Sequence, residues 1–187
     1  LVGLQKKYPD IIKKISNRGY EIGSHTYFHQ LVYNQDRKIF FNDVDRSIKT
    51  IEDISGKKVI SFRAPGFSIN EETKWAFDIL YNLGIKIDCS IFPSKRSHGG
   101  FSSFEYPFPS IIKYNGIQLK EFPINYCKFM KMPIIFSGGG YFRLLPYPVI
   151  HNLTKKSRYV MSYFHPRDFD LYQPFMNELN LIGRFKS

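Results

Sequence analysis

A chain of 187 residues, 43% hydrophobic and 23% charged, has the composition of one ordinary soluble domain with material for a single substantial core, which excludes disorder over most of its length. No run approaches the roughly 20 consecutive apolar residues of a membrane span, so no span is expected; no basic region followed by an apolar segment opens the chain, but it begins at Leu1 rather than Met, which leaves a signal segment upstream open. The formal charge is +11, from 27 Lys+Arg against 16 Asp+Glu. The basic residues fall in scattered pairs (Lys6-Lys7, Lys13-Lys14, Lys57-Lys58, Lys155-Lys156), the pattern of a solvated surface rather than of a nucleic-acid tract, and no nucleic-acid partner is expected. Cys89 and Cys127 have no metal-finger or CxxC spacing. Neither a disulfide framework nor a thiolate zinc site is indicated, and free thiols fit a reducing, cytoplasmic location.

Residues 9–18 place Ile11, Ile12 and Ile15 on one helical face after Pro9, with Gly19 as the stop. A short strand-like run, Tyr20 to Ser24, then leads into His25. Residues 40–55 carry Val44, Ile48, Ile51 and Ile54 at helical spacing, Gly56 ends that helix, and residues 59–62 read as the next strand. Residues 71–83 form a third helical pattern with Trp75, Ile79 and Leu83, followed by Gly84 and a strand, residues 85–87, that ends at Asp88. Three helix-glycine-strand units in succession argue for a parallel α/β architecture with its chemistry at the C-terminal strand ends. Residues 91–133, rich in Pro, Gly, Ser and aromatics, read as a long insertion with a strand-like piece at residues 118–122. A last strand, residues 159–164, delivers His165 and Pro166.

His25 and His29 form an HxxxH. On a helix, i and i+4 face the same way, so both imidazoles can reach one metal ion; two surface or internally satisfied histidines are an equal reading. No Glu follows His25, so this is not the metallopeptidase HExxH, and a base must come from elsewhere. Arg63 sits at a strand end before Ala64-Pro65-Gly66. A permanently charged guanidinium there suits a carboxylate clamp and the turn can aim an N–H at a developing oxyanion, while an ordinary strand-end arginine is as good a reading. Asp88 and His165 close two further strands, and a histidine beside a carboxylate can keep its proton and act as an acid. Residues 138–146 are not a phosphate loop, since they lack Gly-Lys-Ser/Thr; Tyr141 and Arg143 there suit sugar contact, or the glycines serve a turn.

Ser24-His25-xxx-His29, Arg63-Ala64-Pro65 and the strand-end His165, in this order, resemble the polysaccharide deacetylases of carbohydrate esterase family four, the NodB-homology domain. Leu31-Val32-Tyr33, residues 88–93 (DCSIFP), residues 138–146 (GGGYFRLLP) and His165-Pro166 further resemble the exosortase-associated branch of bacterial polysaccharide deacetylases, and the likeness runs from Lys7 to Pro174. The resemblance implies a deformed (β/α)7-type barrel, one domain over residues 1–187, and a metal-dependent hydrolase removing N-acetyl groups from the amino sugars of a polysaccharide. His25 and His29 would bind a divalent metal, commonly zinc. Arg63 would orient the catalytic aspartate, the Gly66 N–H would hold the oxyanion, and His165 would protonate the leaving amine with Asp88 as its tuning partner.

Two departures bear on activity. The family's first motif, a strand ending in Thr-Phe-Asp that supplies the base and the third metal ligand, has no counterpart, since Asp10 opens a helix. The chain is therefore expected to be an N-terminal truncation with an incomplete barrel, impaired or inactive as it stands. His165 is followed by Pro166-Arg167-Asp168 where the branch often carries an aromatic and a Glu. A non-catalytic carbohydrate-binding protein on the same fold is the alternative, which aromatics at 17% allow.

Overall fold

The computed structural model describes residues 7–94, 99–104, 106–129 and 132–170. The chain divides into two compact units, Leu1–Pro123 and Ile124–Ser187, so the boundary falls inside the stretch read as an insertion.

The first unit opens with α1 (Pro9–Asn17), which has proline in its first turn and Gly19 in the left-handed region just beyond it. The expected strand at residues 20–24 shrinks to one parallel bridge, Ser24 to Phe62, in which the Ser24 N–H donates to Ser61 O (2.9 Å) and the Arg63 N–H to Ser24 O (3.0 Å). Tyr20 and Glu21 are exposed, so the pairing has no buried face along which to extend. α2 (Arg37–Ser55) begins three residues before its hydrophobic stripe because the Asp36 carboxylate caps it, accepting from the Ile39 N–H at 2.8 Å, and it ends at Gly56. Its residues Phe40, Val44, Ile48 and Ile51 are buried against β1 (Ser61–Phe62) and the elements that follow.

Residues 71–83 do not form one helix. Asn70 closes a capping box on a short 3-10 turn, Glu71–Thr73, and α3 (Trp75–Asn82) starts only after it. β2 (Ile87–Asp88) follows. Within the expected insertion, β3 (Ser110–Tyr114) and β4 (Ile117–Glu121) make a hairpin about Asn115-Gly116, both left-handed (φ 46° and 80°), the two-residue turn that matches strand twist. β4 then pairs in parallel with β2, which pairs in parallel with β1, giving the order β1-β2-β4-β3 with one antiparallel edge. The α/β class stands; the described residues contain a partial sheet of short strands.

The second unit holds the antiparallel pair β5 (Cys127–Phe129) and β6 (Met132–Ile134), then α4 (Gly139–Leu144) and α5 (Tyr147–Lys156). The expected final strand at residues 159–164 is not one. It makes a single parallel bridge, Tyr163 to Gly138, because side chains occupy the backbone of Met161: its N–H donates to Asn125 Oδ1 (3.0 Å) and its carbonyl accepts from Ser137 Oγ (2.8 Å). Among the described residues no helix is long and apolar enough to cross a membrane.

Candidate functional site

His25 and His29 do not lie on a helix. They flank a loop in which Thr26 (φ 61°) and His29 (φ 58°) are left-handed, and this turn, not the i,i+4 spacing, brings their rings to 5.0 Å between centroids at 72°. Three backbone donors tie the loop. The Tyr27 and Phe28 N–H groups donate to Asp43 Oδ1 of α2 (2.7 and 2.9 Å), and the His29 N–H donates to Thr26 Oγ1 (3.0 Å).

His25 Nδ1 stands 2.6 Å from the Arg63 carbonyl. A carbonyl only accepts, so Nδ1 carries the proton and Nε2 presents a bare lone pair. Burial holds the His25 pKa down to about 4, so that lone pair is available at neutral pH. This is the tautomer and second-sphere contact of a metal-ligating histidine. Among the described residues no group of three or more His, Cys, Asp or Glu could hold a metal ion. His25 and His29 are the two residues of this loop whose ring nitrogens could serve as ligands to a divalent metal.

Arg63 extends from the end of β1, half-buried, with its Nε donating to Cys89 O (3.2 Å) and its guanidinium 5.6 Å from the Phe67 ring centre. The turn after it is held from beneath: the Ala64 N–H donates to Ser90 Oγ (2.8 Å), and Ser90 Oγ donates to Asp88 Oδ1 (2.6 Å). Gly66 is exposed at φ 61°, on a 3-10 turn, Pro65–Phe67. Ser68 Oγ accepts from the Val32 N–H (2.9 Å), tying this turn to the loop beyond His29.

Asp88 is fully buried, and burial raises its pKa. Opposite it in register lies Glu121 at the end of β4, also fully buried, with Oε1 accepting from the Ile91 N–H at 3.1 Å. Burial first and the neighbouring Asp88 charge second push Glu121 well above the usual carboxylate range. The placement thus gives Asp88 a part in bracing the Arg63 turn through Ser90.

In the second unit, His165 is exposed at the start of a 3-10 turn, Pro166–Phe169. The carboxylate beside it is Asp168, whose Oδ2 accepts from the His165 N–H (2.7 Å) and lies 3.7 Å from Nδ1, while its Oδ1 lies 3.6 Å from Arg143 of α4. Tyr141 is on the same short helix, half-buried. The glycine run serves close packing: a Cβ on Gly138 would collide with the Tyr163 carbonyl, and the Gly139 N–H donates to that carbonyl at 2.9 Å.

The structure thus brings His25, His29, Arg63, Gly66 and Asp88 together on adjoining strand ends and loops of the first unit, and His165, Tyr141 and Arg143 within the second. Sequence reasoning missed Asp43, Ser90, Glu121 and Asp168. Asp43 had a legible signal, a carboxylate inside the apolar stripe of α2 between Phe40 and Ser47. Asp168 had another, an acidic residue three positions beyond a histidine followed by proline.

The polysaccharide deacetylase family matches residues 2–86, and the family described as a domain of unknown function (DUF3473) matches residues 89–187. A peptidoglycan-N-acetylglucosamine deacetylase of Bacillus cereus is 29% identical over 72 residues, 38% of this chain and 26% of that protein. A solved structure described as a polysaccharide deacetylase of Mycobacterium smegmatis has a TM-score of 0.54 at 21% identity, covering 68% of this chain and 42% of that one; this supports the fold. A CE4 family pseudoenzyme from Bacillus anthracis also aligns, at 20% identity, 46% of this chain and 30% of that one, with a TM-score of 0.42. The chain spans about a quarter of the curated relative it matches. It belongs to the DUF3473 family, whose model covers just over half of it, and residues 2–86 match the model of the polysaccharide deacetylase family.

Proposed function

We infer that this chain belongs to a hydrolase that removes N-acetyl groups from the amino sugars of a bacterial polysaccharide, with a divalent metal, zinc by the chemistry of its donors, held in part by His25 and His29. One observation carries the reading: a half-buried His25 whose Nδ1 is committed to the Arg63 carbonyl, leaving Nε2 as a lone pair, with His29 folded back beside it. A bound divalent cation supplies Lewis-acid polarisation of an amide carbonyl and acidification of water. The protein's own groups do the rest. In the first unit Arg63 would present a fixed positive charge to a carboxylate and the Gly66 turn an N–H to developing negative charge; in the second unit His165, held at its backbone by Asp168, is the group assigned to protonate an amine.

The test is a zinc titration of the chain and of His25→Ala, followed by calorimetry, beside an acetate-release assay on acetylated amino-sugar oligomers. Zinc binding that disappears in His25→Ala supports the reading; equal binding in both proteins overturns it. Carbohydrate binding without catalysis is favoured by one observation, that among the described residues no carboxylate joins the two histidines to act as a base. Oligomer binding with no acetate release would establish that reading.

A further inference from the structure

We propose that Asp43 is the positioning residue of the histidine loop, setting the separation and orientation of His25 and His29 through two backbone hydrogen bonds. This rests on the reading of those histidines as metal ligands, and it assigns α2 a part in metal binding. The residues between the two histidines turn back sharply, with two left-handed non-glycine residues, each costing about 1–3 kcal/mol unless the surroundings fix it. Such backbone leaves successive N–H groups converging on one point, a concavity that takes an anion. Here the anion is internal. Asp43 is 3% exposed and its Oδ1 alone receives both the Tyr27 and the Phe28 N–H, at 2.7 and 2.9 Å. One turn further along α2, the Arg46 guanidinium lies 4.1 Å from the Tyr27 ring centre and 5.3 Å from that of Phe28, pressing the same two residues onto the helix.

The second Asp43 oxygen is buried with no hydrogen-bond partner among the described residues. An acid used only for packing or solubility would not be left so enclosed with one oxygen idle, because burying an unpaired polar atom is costly. The two short bonds to the loop are what that cost secures, and their consequence falls on His25, two residues before the bonded pair, and on His29, directly after it.

The experiment compares the wild-type chain with Asp43→Asn and Asp43→Ala, using zinc alone as the probe. Asparagine keeps an oxygen for both N–H groups, whereas alanine removes it. Zinc affinity is expected to stay within about threefold in the Asn variant and to fall about 10- to 100-fold in the Ala variant, the usual scale for losing an outer-sphere partner. In metal-free protein, amide exchange at Tyr27 and Phe28 is expected to be slow in wild type and Asn, and fast in Ala, with the circular dichroism of all three alike. Wild-type zinc affinity in Asp43→Ala overturns the proposal, and so does an Asn variant as weak as the Ala one, since charge rather than loop geometry would then carry the effect. Zinc binding indifferent to His25→Ala overturns the underlying ligand reading instead, a result the Asp43 variants do not produce.

Discussion

The Glu121–Asp88 pair makes the stability of the first unit depend on pH in a direction opposite to ordinary acid unfolding. Glu121 is fully enclosed and its folded pKa lies well above that of an unfolded glutamate, about 4.3. A raised folded pKa means that the folded chain holds a proton which the unfolded chain has released. Its stabilisation is complete below the unfolded value and is lost as pH rises toward the folded value. In that window one extra proton corresponds to about 1.4 kcal/mol per pH unit. For a chain of this size that is a melting-temperature fall of roughly 3–5 °C per pH unit. Glu121→Gln keeps the volume and the oxygen that accepts from the Ile91 N–H while removing the titration. Its melting temperature, followed by circular dichroism from pH 5 to pH 8, is expected to decline less steeply than that of the wild type and to exceed it at the alkaline end. Asp88, also shifted upward by burial, accounts for any slope that remains. Identical slopes in the two proteins would refute the reasoning, because Glu121 would then titrate alike folded and unfolded.

Ser90→Ala removes the hydroxyl between the Ala64 N–H and Asp88, leaving the buried N–H unpaired and taking one hydrogen bond from Asp88, and is expected to cost about 1–3 kcal/mol in urea unfolding, with a value near zero counting against the brace. Gly138→Ala drives a methyl into the Tyr163 carbonyl and should destabilise the second unit by about 1–3 kcal/mol, read from proteolytic susceptibility beside a Gly56→Ala comparison, where a Cβ meets nothing within 4 Å. Because Gly56 is left-handed, that control carries a small backbone strain of its own, about 1 kcal/mol, against which the Gly138 result is judged. In protein that releases acetate, His165→Ala is expected to lower turnover about 10²–10⁴-fold with zinc affinity unchanged; loss of zinc in that variant would make His165 a ligand rather than the acid.

Helices were legible where apolar spacing and glycine stops agreed, as at α1 and α2, since both signals are local. The strands were over-read. Residues 159–164 have a strand's composition, but Asn125 and Ser137 claim the Met161 backbone from a distance no local pattern encodes. The Asn115-Gly116 turn was passed over, although it is a local signal that announces the β3-β4 hairpin within the stretch read as an insertion. Site residues that would touch ligand stood out because His and Arg at strand ends are unusual. Their supports did not, because Asp43, Ser90 and Glu121 are ordinary residue types whose importance comes from burial.

That burial explains why the site is arranged as it is. Strand pairing in the first unit is only one or two residues deep at β1 and β2, too short for ladder hydrogen bonds alone to fix where Arg63 and His25 stand. Polar side chains complete the register. Asp88 holds Ser90, Ser90 holds the Ala64 N–H, the Arg63 carbonyl holds His25, and Asp43 holds the loop from His25 to His29. Each link replaces a backbone pair that a longer strand would have supplied, and each depends on exclusion of water for its strength. A substitution that wets one link therefore loosens the links after it, so paired variants such as Ser90→Ala with Asp43→Ala should couple rather than add. A double-mutant cycle in zinc affinity measures this, and strict additivity would show that the two supports act on the histidines independently.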